Sequence, residues 1–224
     1  MATFVLIPGA GGAGWYWHRV QEQLGARGHE AIAVDLPADD VAAGLAAYAS
    51  IVTEAAVGRG EVVLVAQSMG GFTVPLVWSA LPTAAVVFVN AMIPQPGERA
   101  GEWWENVGQP EARVAAALAG GYSVEFDLDT YFLHDVPPAV AADGERHQRD
   151  ESEAAFAEVC DFSWPEVPVH AVAGRDDRFF PLALQQRVAR DRLGIDIDVL
   201  PGGHLMALSQ PTALTDYLLA AVDR

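Results

Sequence analysis

The sequence predicts a single α/β domain built on an open, doubly wound, mostly parallel sheet of about six strands. Short apolar runs rich in β-branched residues recur along the chain, and most of them are continuous rather than alternating. Continuous apolar runs are typical of parallel strands that helices cover on both faces. Helix-compatible stretches separate most of these runs, and the length of 224 residues suits one domain.

The predicted elements follow each other in a regular β, α order. The strand pattern appears in FVLIP from Phe4, AIAVDLP from Ala31, VVLVAQS from Val62, AVVFVNA from Ala85, VHAVAG from Val169 and IDIDVLP from Ile195. Helical composition appears in Trp17 to Arg27, Asp40 to Gly58, Met69 to Ala80, Pro181 to Leu193 and Pro211 to Val222. We expect Asp39 or Asp40 to cap the second helix, and the two prolines suit first-turn positions.

The regular order breaks between Pro94 and Val167, where about 70 residues separate two strands. From Glu98 to Asp161 this stretch holds 15 acidic residues and 4 arginines, with aromatic residues interspersed at Trp103, Trp104, Tyr122, Phe126, Tyr131, Phe132 and Phe156. Structureless loops of this length are uncommon. We therefore expect a core of residues 1–94 and 163–224, with residues 95–162 forming a helical lid.

Charge and composition exclude several classes of function. The formal net charge is −17, so the molecule repels phosphate backbones and anionic lipid, which argues against nucleic acid and membrane partners. All 13 basic residues are arginines. The absence of lysine excludes pyridoxal Schiff bases, P-loop phosphate binding and lysine-dependent hydride transfer.

The cysteine count and the start of the chain predict a cytoplasmic location. The single cysteine, Cys160, has no partner for an internal disulfide, which fits a reducing compartment. No targeting signal and no apolar span of about 18 residues is evident. The cysteine and histidine spacing matches no metal site, so we expect no bound metal.

The first glycine-rich loop has three interpretations. Gly9, Gly11 and Gly14 have the spacing of a dinucleotide fingerprint, and Asp35 stands about 20 residues later for the ribose. A reductase of this size usually relies on a tyrosine and lysine pair, however, and lysine is absent. In the second interpretation the loop PGAGG supplies the backbone amide of Ala10 to an oxyanion hole. In the third, the glycines only allow a tight turn.

The third predicted strand ends in VAQSMGG, which has the pattern of a nucleophile elbow. In this motif, G-x-S-x-G, the residues flanking the serine must be small because strand and helix approach closely at a strained turn. Ala66 and Gly70 occupy those positions around Ser68. The elbow exposes the hydroxyl of Ser68 at the edge of the sheet and directs the amide of Met69 toward the same oxyanion.

Two further loops supply the partners of such a serine. AGRDDRFFP follows the fifth strand and offers Asp177, with Asp176 as the competing carboxylate, and PGGHLMALSQP follows the sixth with His204. Taken alone, an aspartate or a histidine in such a loop more often has a structural role than a catalytic one. Together, Ser68, Asp177 and His204 all follow strand ends, where open α/β sheets place their sites. A serine hydroxyl needs a histidine base, and the histidine needs a carboxylate to fix its tautomer.

On these motifs the chain resembles the α/β-hydrolase superfamily, with a minimal six-stranded sheet that lacks the superfamily's usual first two strands. PGAGGAGWYW and GGHLMALSQP also resemble the plant methylesterase and hydroxynitrile lyase branch. That branch usually opens with His-Gly, where this chain has Pro8 and Gly9. Its lyases carry a lysine after the histidine, whereas this chain has Leu205, which favours ester cleavage. The resemblance implies the roles given above for Ser68, Asp177 and His204.

Several other residues are candidates for substrate contact. Trp103 and Trp104 in the expected lid, and Gly9 and Gly11 beside the oxyanion loop, are placed to line a binding site. His134, followed by Asp135, is either a substrate contact or second catalytic pair, or a histidine satisfied by its own helix end.

The sequence therefore predicts a cofactor-independent serine hydrolase that acts through an acyl-enzyme. Its expected substrate is a small to medium, neutral and partly apolar carboxylic ester or lactone. One alternative keeps the fold for a lyase, a cyclase or a cofactor-free oxygenase with His204 as general base. Another is a non-catalytic module that binds a small molecule. The sequence leaves a monomer and a homodimer equally open.

Overall fold

A computed structural model describes residues 1–222 of the protein. Eight strands lie in this range: β1 (Thr3–Ile7), β2 (Glu30–Ala33), β3 (Val62–Gln67), β4 (Thr83–Val89), β5 (Glu98–Arg99), β6 (Val159–Cys160), β7 (Val169–Gly174) and β8 (Asp198–Leu200). Six of them form one sheet in the order β2-β1-β3-β4-β7-β8, and every neighbouring pair is parallel. The predicted doubly wound sheet is confirmed, and so are all six predicted strands.

Ten α-helices accompany the strands within the same residues. They are α1 (His18–Ala26), α2 (Leu45–Ala56), α3 (Gly70–Val77), α4 (Ala100–Asn106), α5 (Gln109–Gly120), α6 (Pro138–Gly144), α7 (Glu153–Ala157), α8 (Leu182–Leu193), α9 (Met206–Ser209) and α10 (Pro211–Val222). None of the helices in the described range is long and apolar enough to cross a membrane.

The strands bury side chains on both faces of the sheet, because successive residues of a strand point in opposite directions. In β1, Phe4 and Leu6 join the cluster formed with α1 and α10. Val5 and Ile7 join the cluster formed with α2, α3 and α8. Both faces are covered, and this is why the strand sequences are apolar throughout.

The start of α2 differs from the prediction. The helix begins at Leu45 with Gly44 as its N-cap, and no side chain caps it. The predicted cap was therefore wrong for both Asp39 and Asp40. Asp40 instead accepts a hydrogen bond from the amide of Ala42, 2.9 Å away, inside the preceding turn. An aspartate that satisfies a nearby backbone amide stabilises a turn as readily as a helix end.

The segment between β4 and β7, residues 95–162, contains α4 to α7 and the antiparallel pair β5 and β6. These strands were not predicted because two residues show no periodicity. A buried ion pair at the base of the segment joins Glu98 to Arg192 of α8. We call residues 95–162 the inserted segment.

Candidate active site

Three loops at the carboxyl edge of the sheet bring Ser68, Asp177 and His204 together. Ser68 follows β3, Asp177 follows β7 and His204 follows β8. The hydroxyl of Ser68 lies 3.1 Å from Nε2 of His204, and Nδ1 of His204 lies 2.9 Å from Oδ2 of Asp177. The histidine is fully buried and the serine is 8 % exposed. The structure thus places the three predicted residues in one hydrogen-bonded chain.

The turn at Ser68 is strained and firmly held. Ser68 has φ of 50°, in the left-handed region that few non-glycine residues adopt. Its carbonyl accepts hydrogen bonds from the amides of Gly71 and Met92. A Cβ atom at Gly70 would lie 2.5 Å from the carbonyl oxygen of Pro8, so only glycine fits there. The close approach that the elbow motif requires is therefore present.

The carboxylate of Asp177 is fully engaged. Oδ1 accepts hydrogen bonds from the amides of Phe179 and Phe180, at 2.9 and 2.8 Å. Oδ2 accepts from Nδ1 of His204 and from Nε2 of Gln185, the latter at 3.2 Å. These four donors fix the carboxylate in one orientation.

This orientation determines the tautomer of His204. A carboxylate oxygen only accepts, so the proton of the neutral imidazole lies on Nδ1 and leaves Nε2 free to accept the proton of Ser68. The rings of Phe132, Phe179 and Phe180 contact the imidazole edge-on, at centroid distances of 4.8, 5.3 and 4.9 Å. These three phenylalanine rings restrict rotation of the imidazole and exclude water from it.

Two polar residues that the sequence analysis did not single out anchor residues 201–205, the loop between β8 and α9 that carries His204 and that we call the histidine loop. Asn90, buried and with φ of 44°, donates to the carbonyls of Gly203 and His204 at 3.0 and 3.1 Å and accepts from the amide of Gly174 at 2.7 Å. Gln67 donates more weakly to the carbonyl of His204, at 3.4 Å. The sequence signal that could have identified Asn90 is its position as a polar residue directly after the apolar run AVVFV.

Ala10 and Met69 both line the cavity in front of Ser68. Within residues 1–222, no protein acceptor takes the amide of either residue. The loop that carries Ala10 lies directly on the elbow, because a Cβ atom at Gly9 would come within 2.8 Å of Cβ of Ser68. Both backbone amides are therefore available to an oxygen atom bound beside the serine.

The contacts of the glycine loop do not fit a dinucleotide site. The amide of Gly11 donates to Glu151 at 2.8 Å, and the amide of Gly14 donates to Asp35 at 3.0 Å. Asp35 also pairs with Arg149. A pyrophosphate would need these amides, and a ribose would need a free Asp35. Carboxylates of the protein occupy the positions that the dinucleotide would use.

A cavity of about 1030 Å³ opens above Ser68 and His204. Core and inserted segment both line it, and Gly9, Gly11 and Trp104 are among the lining residues. Trp103 and His134 are not. Trp103 is buried in the core, where its indole N–H donates to the carbonyl of Ile93 at 3.1 Å. His134 lies beneath the histidine loop, against Gly203.

Apolar side chains make up most of the cavity lining, and both parts of the chain supply them. The core contributes Trp15, Met69, Met92, Phe179, Leu205 and Leu208, and the inserted segment contributes Trp104, Phe126, Leu128, Phe132, Leu133 and Phe156. Polar residues line the cavity at Gln67, Ser68 and His204, at Asp39 and along 145–151. The cavity therefore suits a ligand that is largely apolar.

Comparison with known proteins shows which family and which relatives the chain is similar to. A model described as the alpha/beta hydrolase family matches residues 4–216. A relative named Methylesterase 7 from Arabidopsis thaliana is 33 % identical over 142 residues, which cover 58 % of this chain and 50 % of the relative. A probable esterase from Oryza sativa subsp. indica is 36 % identical over 110 residues, covering 44 % of this chain and 42 % of the relative. The chain spans about half the length of these curated relatives or less.

A solved structure supports the fold over nearly the whole chain. The structure of polyneuridine aldehyde esterase superposes with a TM-score of 0.82 at 19 % identity and covers 98 % of both chains. At this identity the likeness concerns the fold alone.

Proposed function

Because the chain belongs to the alpha/beta hydrolase family, we propose that it is a serine hydrolase that cleaves a carboxylic ester or lactone. The observation that carries the proposal is the unbroken chain of hydrogen bonds from Ser68 through His204 to Asp177. The names of the relatives, methylesterase and probable esterase, support the same class of bond.

In the proposed mechanism His204 removes the proton of Ser68 as its oxygen attacks the substrate carbonyl. The amides of Ala10 and Met69 stabilise the oxyanion, and the first turn of α3 adds its dipole. His204 then protonates the leaving alcohol, and an acyl-enzyme on Ser68 remains. A water molecule activated by the same histidine releases the acid. Asp177 holds His204 and stabilises its charged form throughout.

The lining of the cavity supports the proposal that the substrate is neutral and partly apolar. The rings of Phe126, Phe132 and Phe179 contact one another, and Phe132 and Phe179 also contact His204. An apolar group beside the triad would therefore displace water from aromatic surface. The negative charge of the inserted segment disfavours strongly anionic esters. In this proposal residues 95–162 act as the lid of the site.

The test compares three purified proteins: the wild type, Ser68→Ala and Ser50→Ala. Ser50 is an exposed serine of α2 that does not line the cavity. A fluorophosphonate probe, read by intact mass, should label the wild type and Ser50→Ala but not Ser68→Ala. Hydrolysis of p-nitrophenyl esters of increasing acyl length should fall at least about 10⁴-fold in Ser68→Ala.

A Ser68→Ala protein with full turnover would overturn the hydrolase proposal. Retained turnover without an acyl adduct would instead favour a reaction in which His204 acts as general base on the substrate itself. A wild type that neither turns over esters nor takes the probe would also contradict the proposal.

A further inference from the structure

Two carboxylates of the inserted segment reach the loops that carry the proposed machinery. Oδ2 of Asp135 accepts the amide of Gly203 at 2.6 Å, one residue before His204. Oε2 of Glu151 accepts the amide of Gly11 at 2.8 Å, one residue after Ala10. Both contacts join residues far apart in sequence, and both lie directly beside a group that the mechanism uses.

We propose that Asp135 and Glu151 are positioning residues that hold the histidine loop and the glycine loop in place for catalysis. The inserted segment is then part of the catalytic assembly rather than a detachable cover. This inference rests on the proposed hydrolase function.

The contact of Asp135 is tight and leaves little room for movement. A Cβ atom at Gly203 would lie 2.7 Å from Oδ1 of Asp135 and 2.7 Å from Nε2 of His134. Both of these atoms are buried and have no hydrogen-bond partner within residues 1–222. The histidine loop therefore rests on the His134 and Asp135 pair, and Gly203 is the residue that permits the close approach.

The same stretch of chain also holds the imidazole. Phe132 lies in a turn of π-helix over Asp129–Leu133, three residues before Asp135, and its ring packs edge-on against His204 at 4.8 Å. Turns of π-helix are frequent at functional sites. One short stretch thus fixes the backbone of the histidine loop through Asp135 and the ring of His204 through Phe132.

Glu151 is held from both sides. Its Oε1 accepts the hydroxyl of Tyr48 in α2 at 2.6 Å, while Oε2 takes the amide of Gly11. The next residue, Ser152, donates its amide to the carbonyl of Ala38 at 2.7 Å. The carboxylate is therefore clamped between a core helix and the glycine loop, and its position follows the core.

The Glu151 contact determines which amide of the glycine loop faces the cavity. Gly11 has φ of 80°, and its amide is used by Glu151. The amide of Ala10 has no protein acceptor within the described chain. Because the two carboxylate oxygens of Glu151 accept from Tyr48 and from Gly11 at the same time, Glu151 is well suited to hold this arrangement.

The experiment compares truncation with conservative replacement at each position. Asp135→Ala and Glu151→Ala remove the acceptor, whereas Asp135→Asn and Glu151→Gln keep an amide oxygen that accepts the same N–H. With p-nitrophenyl acetate, we expect kcat to fall about 10- to 100-fold in the alanine variants, because small displacements of catalytic groups are costly. The KM should change little, and Asn and Gln should restore most of kcat. Glu125→Ala, which removes an exposed carboxylate of the inserted segment that does not line the cavity, is the matched control.

A second readout does not depend on activity. The amide of Gly203 should exchange hydrogen faster in Asp135→Ala, the amide of Gly11 faster in Glu151→Ala, and both should be protected again in the Asn and Gln variants. Alanine variants with wild-type kcat and unchanged exchange would overturn the inference while leaving the hydrolase proposal intact. Loss of kcat in step with the melting temperature, without rescue by Asn or Gln, would also overturn it. A wild type without esterase activity but with these exchange changes would defeat only the proposed function.

Discussion

The core and the inserted segment build the two sides of the cavity in different ways. In the core, Ser68, Asp177 and His204 stand at strand ends, where backbone hydrogen bonds and the parallel sheet fix their positions. In the inserted segment, Trp104 and Phe126 are each placed by contact of their aromatic rings with the ring of Phe179 in the core. The comparison teaches that sheet geometry fixes the proposed chemistry, whereas side-chain packing shapes the space for the substrate.

The largest effect is expected where the core is changed at Asp177. In Asp177→Asn, an amide N–H2 group facing Nδ1 favours the wrong tautomer of His204, so kcat should fall about 10⁴-fold with little loss of stability. Asp176→Asn is the matched control, because Asp176 is exposed and its carboxylate accepts from the amide of Gly202, at 3.4 Å, rather than from His204. Equal kcat values for the two variants would show that Asp177 is not the carboxylate that orients His204.

The next largest effect concerns the joint between the two regions. The side chains of Glu98 and Arg192 are each only 5 % exposed. Arg192→Ala leaves the buried carboxylate of Glu98 without its charged partner. The free energy of unfolding, measured by urea denaturation, should fall by about 3–5 kcal/mol. Arg190→Ala removes an exposed pair with Asp196 and should cost about 1 kcal/mol or less. Similar costs would mean that the inserted segment is not anchored through this pair.

A smaller and more selective effect is expected in the aromatic wall. Phe126 lines the cavity, yet it is 51 % exposed. Phe126→Ala should raise KM about 5- to 10-fold for p-nitrophenyl esters with long acyl chains, which corresponds to about 1 kcal/mol of lost contact. Turnover of p-nitrophenyl acetate should change little. A uniform loss of kcat for all chain lengths would contradict the division between chemistry in the core and selectivity in the inserted segment.

The smallest effect is expected in the pH dependence of stability. Burial, and then the positive charge of Arg178, lower the pKa of His134, although Asp135, Asp177 and a hydrogen bond with the backbone of Asp176 oppose this. The imidazole of His134 therefore binds a proton less well in the folded state than in the unfolded state. As pH falls below about 6.5, the pKa of an unperturbed histidine, protonation of His134 favours the unfolded state and lowers the free energy of unfolding. His134→Gln does not titrate, so its melting temperature should fall less between pH 7 and pH 5 than that of the wild type. An equal fall in both proteins would contradict this account.

The same comparison explains what the sequence could predict. Ser68, Asp177 and His204 were predictable because each follows an apolar strand in a motif whose chemistry needs that residue. Trp103 and Trp104 are adjacent in sequence, but only Trp104 lines the cavity. Which of the two side chains faces the cavity depends on packing in the inserted segment. The sequence pointed to Asp135 beside His134 but could not predict its contact with Gly203, and it gave no signal for Glu151, because the partners of these carboxylates lie 68 and 140 residues away.

The measurement that tests the central claim most directly is detection of the acyl-enzyme. The wild type is mixed with p-nitrophenyl acetate, quenched in acid within the first turnover and analysed by intact mass and peptide mapping. The account predicts a burst of p-nitrophenol and one acetyl group on Ser68, both absent in Ser68→Ala. Turnover with no adduct and no burst, or an acetyl group that stays in the Ser68→Ala protein, would contradict it.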